Sequence, residues 1–156
     1  MPAPAPRINE NQDGAFGFVL RSDTGTVIAT GAGKLYHLHS ALQAEANACV
    51  AAIEATANLG IYQVKFESDS CTLVNAIKHG GFDLASPGVL IREARSLSIL
   101  HFDHADFLFC RRGCNKVSHS LARYGYQASV PSSSWMDDPP EFVIGLVASD
   151  IAGQQV

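Results

Sequence analysis

Basic charge is scarce in this sequence. Lys and Arg number 11 against 15 Asp and Glu, for a net charge of −4. Such a balance speaks against strong, indiscriminate binding to nucleic acid, which needs a broadly basic surface, but leaves room for a local basic strip. Cysteine is sparse as well. Cys49, Cys71, Cys110 and Cys114 form no C-x-x-C pair and match no His at metal-ligand spacing. Two of them fall in segments that read as buried helix or strand, so reduced thiols in the cytosol or nucleus are expected rather than a disulfide framework. No apolar run approaches membrane length, and the N-terminus lacks the core of a signal peptide. No repeat is visible.

What is present fits one globular domain: 156 residues, 47% hydrophobic and 17% charged, enough for a sizeable core. The most informative stretch is Ser40 to Val74, SALQAEANACVAAIEATANLGIYQVKFESDSCTLV. Ser40 and Gln43 make a capping-box pair. Leu42, Ala46, Cys49, Ile53 and Ala57 recur at helical spacing, an apolar stripe of mostly small residues that lets a helix lie close to a sheet. Gly60 predicts a left-handed helix stop. Tyr62, Val64 and Phe66 alternate with Gln63, Lys65 and Glu67, the period of a strand with one face buried. A second helix follows, with Leu73, Val74 and Ile77 on one face.

Two acids in this stretch have two readings each. Glu45 lies near the start of the first helix, beside the stripe, and Asp69 lies where the strand hands over to the second helix. Singly, a first-turn acid complements the helix dipole, and an Asp before a helix is a common N-cap. Jointly, they predict convergence on a divalent cation, for which hard oxygen ligands suit magnesium or manganese.

Elsewhere the chain opens with a proline-rich lead, MPAPAPR. Ala15 to Arg21 and Thr26 to Lys34 read as a hairpin around the turn Ser22-Asp23-Thr24-Gly25. Ser86 and Pro87 open a third helix with Leu90, Ile91, Ala94 and Leu97 as its stripe. Asp103 to Cys110 reads as a strand in which Ala105, Phe107 and Phe109 share a face. Asn115 is the expected N-cap of a last helix whose buried side holds Val117, Leu121 and Tyr124. Arg111, Arg112, Asn115 and Lys116 lie where that strand hands over to the helix, either a perch for backbone phosphates or merely solvated charge.

The blocks AEANACVAAIEATANLG and VKFESDSCTLVNAI, with CRRGCNKVSHSLARYGYQAS and the later Trp135 and Pro139-Pro140, resemble the ribonuclease H-type domain of plant retroelements and related host genes. The resemblance covers about residues 14 to 153. It implies an α/β fold: a mixed sheet flanked by helices, with residues 1–12 a disordered lead, 13–128 the ribonuclease H-like domain and 129–156 a tail that docks on it. It also implies that Glu45 and Asp69 are metal carboxylates in a two-ion magnesium or manganese site, acting on an RNA–DNA hybrid. His119 stands where many such enzymes have a fourth Asp. It is read either as a proton shuttle or as a partly exposed helical His.

One departure matters. The family has a central first strand ending in an Asp, then a loop, then the hairpin. Here Asp13 runs straight into Gly14-Ala15-Phe16. Either Asp13 is that Asp and the loop is deleted, or Asp13 belongs to the loop and the first strand is lacking or degenerate. Three prolines in residues 2–12 favour the second, because a central strand is apolar and proline-free. Weak or lost hydrolysis of the RNA strand is the expectation, with an inactive nucleic-acid-binding module or a truncated retroelement remnant as the alternatives.

Overall fold

The computed structural model describes residues 2–3, 12–80, 86–132 and 134–153. In chain order these form β1 (Pro2–Ala3), β2 (Gly14–Arg21), β3 (Val27–Leu35), α1 (Ala41–Asn58), β4 (Gln63–Ser68), α2 (Cys71–His79), α3 (Ser86–His101), β5 (His104–Phe109), α4 (Lys116–Gln127), β6 (Trp135–Met136) and α5 (Glu141–Gly153). A single 3-10 turn, Arg112–Cys114, links β5 to α4.

The described strands form two three-stranded sheets, one parallel, ordered β1-β4-β5, and one antiparallel, ordered β2-β3-β6. The hairpin β2–β3 turns at Ser22 to Gly25, where the Gly25 N–H donates to the Ser22 carbonyl and Gly25 takes φ +86°. The α/β architecture, sheets covered by helices, agrees with the sequence-based expectation. Among the described residues Pro2 and Ala3 run alongside β4, with Pro2 opposite Glu67 and Ala3 opposite Ser68 in parallel register. The rest of the expected disordered lead, from Pro4 to Asn11, lies outside the described residues.

β2 is the strand on which both layers rest. Its residues are buried from Gly14 to Leu20, because helices cover both faces. Phe16 and Phe18 face the larger core, shared with α1, α2, α3, β4 and β5. Each ring covers the cross-strand glycine opposite it, Gly33 and Gly31, where a Cβ would strike the ring. Complete burial of such a ring contributes about 1.5–3 kcal/mol relative to exposure. Val19 faces the other way, into a smaller cluster with Ala32, Val117, Leu121 and Val143.

The helix α1 is buried nearly all round, beyond the stripe its spacing marks: Ala44, Ala48, Val50, Ala51, Ala52, Ala55 and Thr56 are buried as well. It lies between β2 and α3, so small side chains are needed on more than one face. Its N-terminus varies the capping box. The Ser40 hydroxyl accepts from Gln43 N–H at 3.1 Å, while Gln43 Oε1 reaches back to the N–H of His39 at 2.7 Å, one residue earlier than the standard pairing. Gly60, at φ +71°, stops the helix as expected.

Other expectations shift. Tyr62 precedes the strand and is exposed, and Phe109 is 54% exposed although its parity with Phe107 predicts burial. Burial in β5 depends on helix cover, and that cover does not extend to the strand's end. In the segment expected to dock on the domain, β6 pairs antiparallel with β3, and Val143 of α5 is fully buried against β2 and α4.

The approach of α4 to β2 is decided at Gly17. A Cβ there would lie 2.5 Å from both Leu121 Cβ and the Ser118 carbonyl oxygen. Replacing Gly17 with Ala is expected to cost about 1–3 kcal/mol by overpacking, whereas Gly113→Ala, which meets open space, should stay within about 0.5 kcal/mol. Chemical denaturation of the two variants checks the contrast.

Candidate functional site

Ser70, not Asp69, caps α2. Its backbone is extended and its hydroxyl accepts from the Leu73 N–H at 3.2 Å. The N-cap reading of Asp69 is therefore corrected, and the physical consequence is large: the Asp69 carboxylate is released from helix duty. Glu45 also moves from its expected place. It is the fifth residue of α1, and the first turn holds no acid, so the dipole gives it little. It stands instead over the junction between β4 and α2.

There the two acids come within electrostatic reach of each other. Burial is the largest influence on Glu45 and raises its pKa, a hydrogen bond from Ser70 lowers it, the negative charge of Asp69 raises it, and Arg112 and His119 lower it. Glu45, Asp69, Ser70, Arg112 and His119 thus form one electrostatic group. The Asp69 side chain is only 8% exposed. Its Oδ2 accepts from His119 Nε2 at 3.1 Å, and the Arg112 Nε lies 3.8 Å from the same oxygen. Its Oδ1 is buried without a hydrogen-bond partner among the described residues. An orphaned carboxylate oxygen is costly unless something cationic or donating reaches it.

His119 arrives from α4, one residue past the Ser118 carbonyl that rides over Gly17. Its side chain is 24% exposed, and its first partner is Asp69 rather than solvent. Asp13 stands just before β2, and it is not among the charges acting on Glu45.

The basic segment is divided by the structure. Arg111 and Lys116 are exposed, and Arg112 is exposed yet reaches Asp69. Asn115 stands at the N-cap position of α4, as expected, but its side chain takes neither a capping nor a phosphate role. It is completely buried and makes no side-chain cap to α4, because its backbone, at φ −115° and ψ 25°, closes the preceding 3-10 turn instead. A side chain with no exposed surface is not available to a phosphate. Ser70 is the residue that sequence reasoning missed; a Ser directly after Asp69 was its only signal, and adjacent Asp and Ser are equally good caps.

The sequence matches the reverse transcriptase-like family over residues 7–125. The chain belongs to that family. Solved structures similar to this member of the reverse transcriptase-like family are ribonucleases H. Ribonuclease H1 of the halophilic archaeon Halobacterium salinarum is 24% identical with a TM-score of 0.72, covering 80% of this chain and 95% of that one. The N-terminal ribonuclease H domain of a Mycobacterium tuberculosis protein is 18% identical with a TM-score of 0.69, covering 82% and 95%. LC11-RNase H1, solved in complex with an RNA/DNA hybrid, is 12% identical with a TM-score of 0.73, covering 82% and 97%. At these identities the likeness is one of fold, and it shows a ribonuclease H-like domain. A search of curated protein sequences finds no match.

For a metal, the donor set fits one hard cation better than two. Glu45 and the orphaned Asp69 Oδ1 supply two carboxylate donors, and magnesium is often held by one or two carboxylates, with waters and substrate phosphates completing the shell. Among the described residues no group of three or more His, Cys, Asp and Glu is arranged to hold an ion. His119 is turned toward Asp69 Oδ2 in a hydrogen bond rather than toward a shared site. Two adjacent dications need more negative charge than this group carries.

The raised pKa of Glu45 has a definite sign for stability. An acid with a raised folded-state pKa contributes stability that is complete below its ordinary value of 4.5 and is lost as pH rises through the raised one. Glu45→Gln is therefore expected to raise the melting temperature near pH 7 and to leave it nearly unchanged near pH 4, as measured by thermal unfolding across that range.

Proposed function

We propose that this domain binds RNA–DNA hybrids and hydrolyses their RNA strand slowly, with a magnesium or manganese ion held by Glu45 and Asp69. The observation that carries the reading is the buried, partly unpartnered Asp69 carboxylate beside Glu45 in a ribonuclease H-like fold. Bound there, a divalent cation supplies a Lewis acid for the phosphodiester and a lowered pKa for an attacking water.

The chain's own residues do the rest. Ser70 fixes α2 and donates to Glu45, so the two acids keep their spacing. His119 Nε2 holds a proton against Asp69 Oδ2 and orients that carboxylate; as an imidazole in reach of solvent, it is the group suited to moving a proton at the site. Arg111 and Lys116, exposed around the 3-10 turn and the start of α4, are the phosphate contacts. Discrimination for a hybrid rests on the RNA 2′-hydroxyls and minor-groove width.

Low turnover follows from charge. Two carboxylates share their site with an imidazole and a guanidinium, so little negative charge is left to concentrate cations. The test is a manganese-supplemented cleavage assay on a labelled RNA–DNA hybrid. Slow cleavage of the RNA strand is expected, reduced on the order of a hundredfold in Asp69→Asn. Equal cleavage in that variant, or none in the native chain, sinks the hydrolytic reading; hybrid binding without cleavage leaves a binding module.

A further inference from the structure

Arg112 holds an unusual position. Its side chain is 77% exposed, yet its Nε stands 3.8 Å from a carboxylate that is 8% exposed. An exposed arm thus reaches down to a buried acid. It acts on Glu45 as well, lowering that acid's pKa by its positive charge. Arg112 is also flanked by Arg111 and, beyond the turn, Lys116, both facing solvent. One side chain therefore borders both the acidic pair and the basic strip.

The chemistry of these contacts is directional. Arg112 and His119 both address Asp69 Oδ2, leaving Oδ1 without a hydrogen-bond partner among the described residues. A dication arriving between Oδ1 and Glu45 meets the guanidinium's repulsion, because a guanidinium keeps its charge at any ordinary pH. A polyanion approaching the strip offers the same guanidinium a phosphate, its best bidentate partner. Since the arm is mostly solvated, moving it from one anion to another requires no repacking of the core.

We propose that Arg112 is a built-in counter-cation of the Glu45–Asp69 pair, and that nucleic-acid phosphate draws it away, so that metal and nucleic acid bind cooperatively. The proposal rests on the metal-binding reading of Glu45 and Asp69, and adds to it a residue that holds the metal off until substrate arrives. By linkage, the same coupling acts in both directions.

The experiment is calorimetric titration of manganese into the native chain, Arg112→Ala, Arg112→Lys and Asp69→Asn, each with and without a short single-stranded DNA that is not a substrate. Melting curves of all four verify folding, and Arg112 is exposed enough for its variants to fold. Without DNA, Arg112→Ala is expected to bind manganese roughly two- to fivefold more tightly than the native chain, the scale of a mostly exposed ion pair. Arg112→Lys, which keeps the charge, should stay near native. DNA should tighten manganese binding in the native chain and do so much less in Arg112→Ala, with the difference shrinking at high salt. If Arg112→Ala binds manganese as the native chain does, or more weakly, while Asp69→Asn abolishes binding, the counter-cation role is overturned and the metal reading stands. If Asp69→Asn binds manganese like the native chain, the metal reading itself fails.

Discussion

Asp69 is a carboxylate taken out of water at the end of a strand, and most of the site is a response to that. Burying a charged group is expensive unless donors and opposite charge surround it. Here a 3.1 Å hydrogen bond from His119 and the nearby Arg112 guanidinium compensate one oxygen, and the other has no hydrogen-bond partner among the described residues. Glu45, forced close by the packing of α1, makes the local field more negative and is itself held against ionisation. An arrangement that costs folding energy and, among the described residues, leaves an acceptor unsatisfied is the ground on which the proposed metal-binding role of Glu45 and Asp69 rests.

The scaffold makes that arrangement possible by close approach. Gly17 admits α4 onto β2, and Gly31 and Gly33 admit the rings of Phe18 and Phe16. Small residues along α1 admit its near-complete burial between β2 and α3. The parallel sheet lies next to β2 through β1, whose described part is the pair Pro2–Ala3 alongside β4. The parallel sheet carries Asp69 and the helix above it carries Glu45, so neither of these acids depends on a long first strand.

Much of this was legible beforehand. The Ser40–Gln43 cap, the Gly60 stop, the β2–β3 hairpin and the alternation through Phe66 are local signals. Each depends on residues within a turn or two of one another, so the amino-acid order by itself determined the elements and the family. The nearness of Glu45 and Asp69 was legible only through the geometry those elements imply.

Partner choice was decided in three dimensions. Asp69 and Ser70 are interchangeable as helix caps on paper, and only the course of the chain into α2 gave the cap to Ser70 and freed the acid. Arg112 and Lys116 look alike in a basic loop, yet the 3-10 turn aims one at Asp69 and leaves the other in solvent. Asn115 reads as a surface cap and lies wholly inside. At Asp69 the contact joins residues far apart in sequence, His119 and Asp69 being fifty positions apart. Local propensity carries no record of such contacts, whereas packing and desolvation fix them.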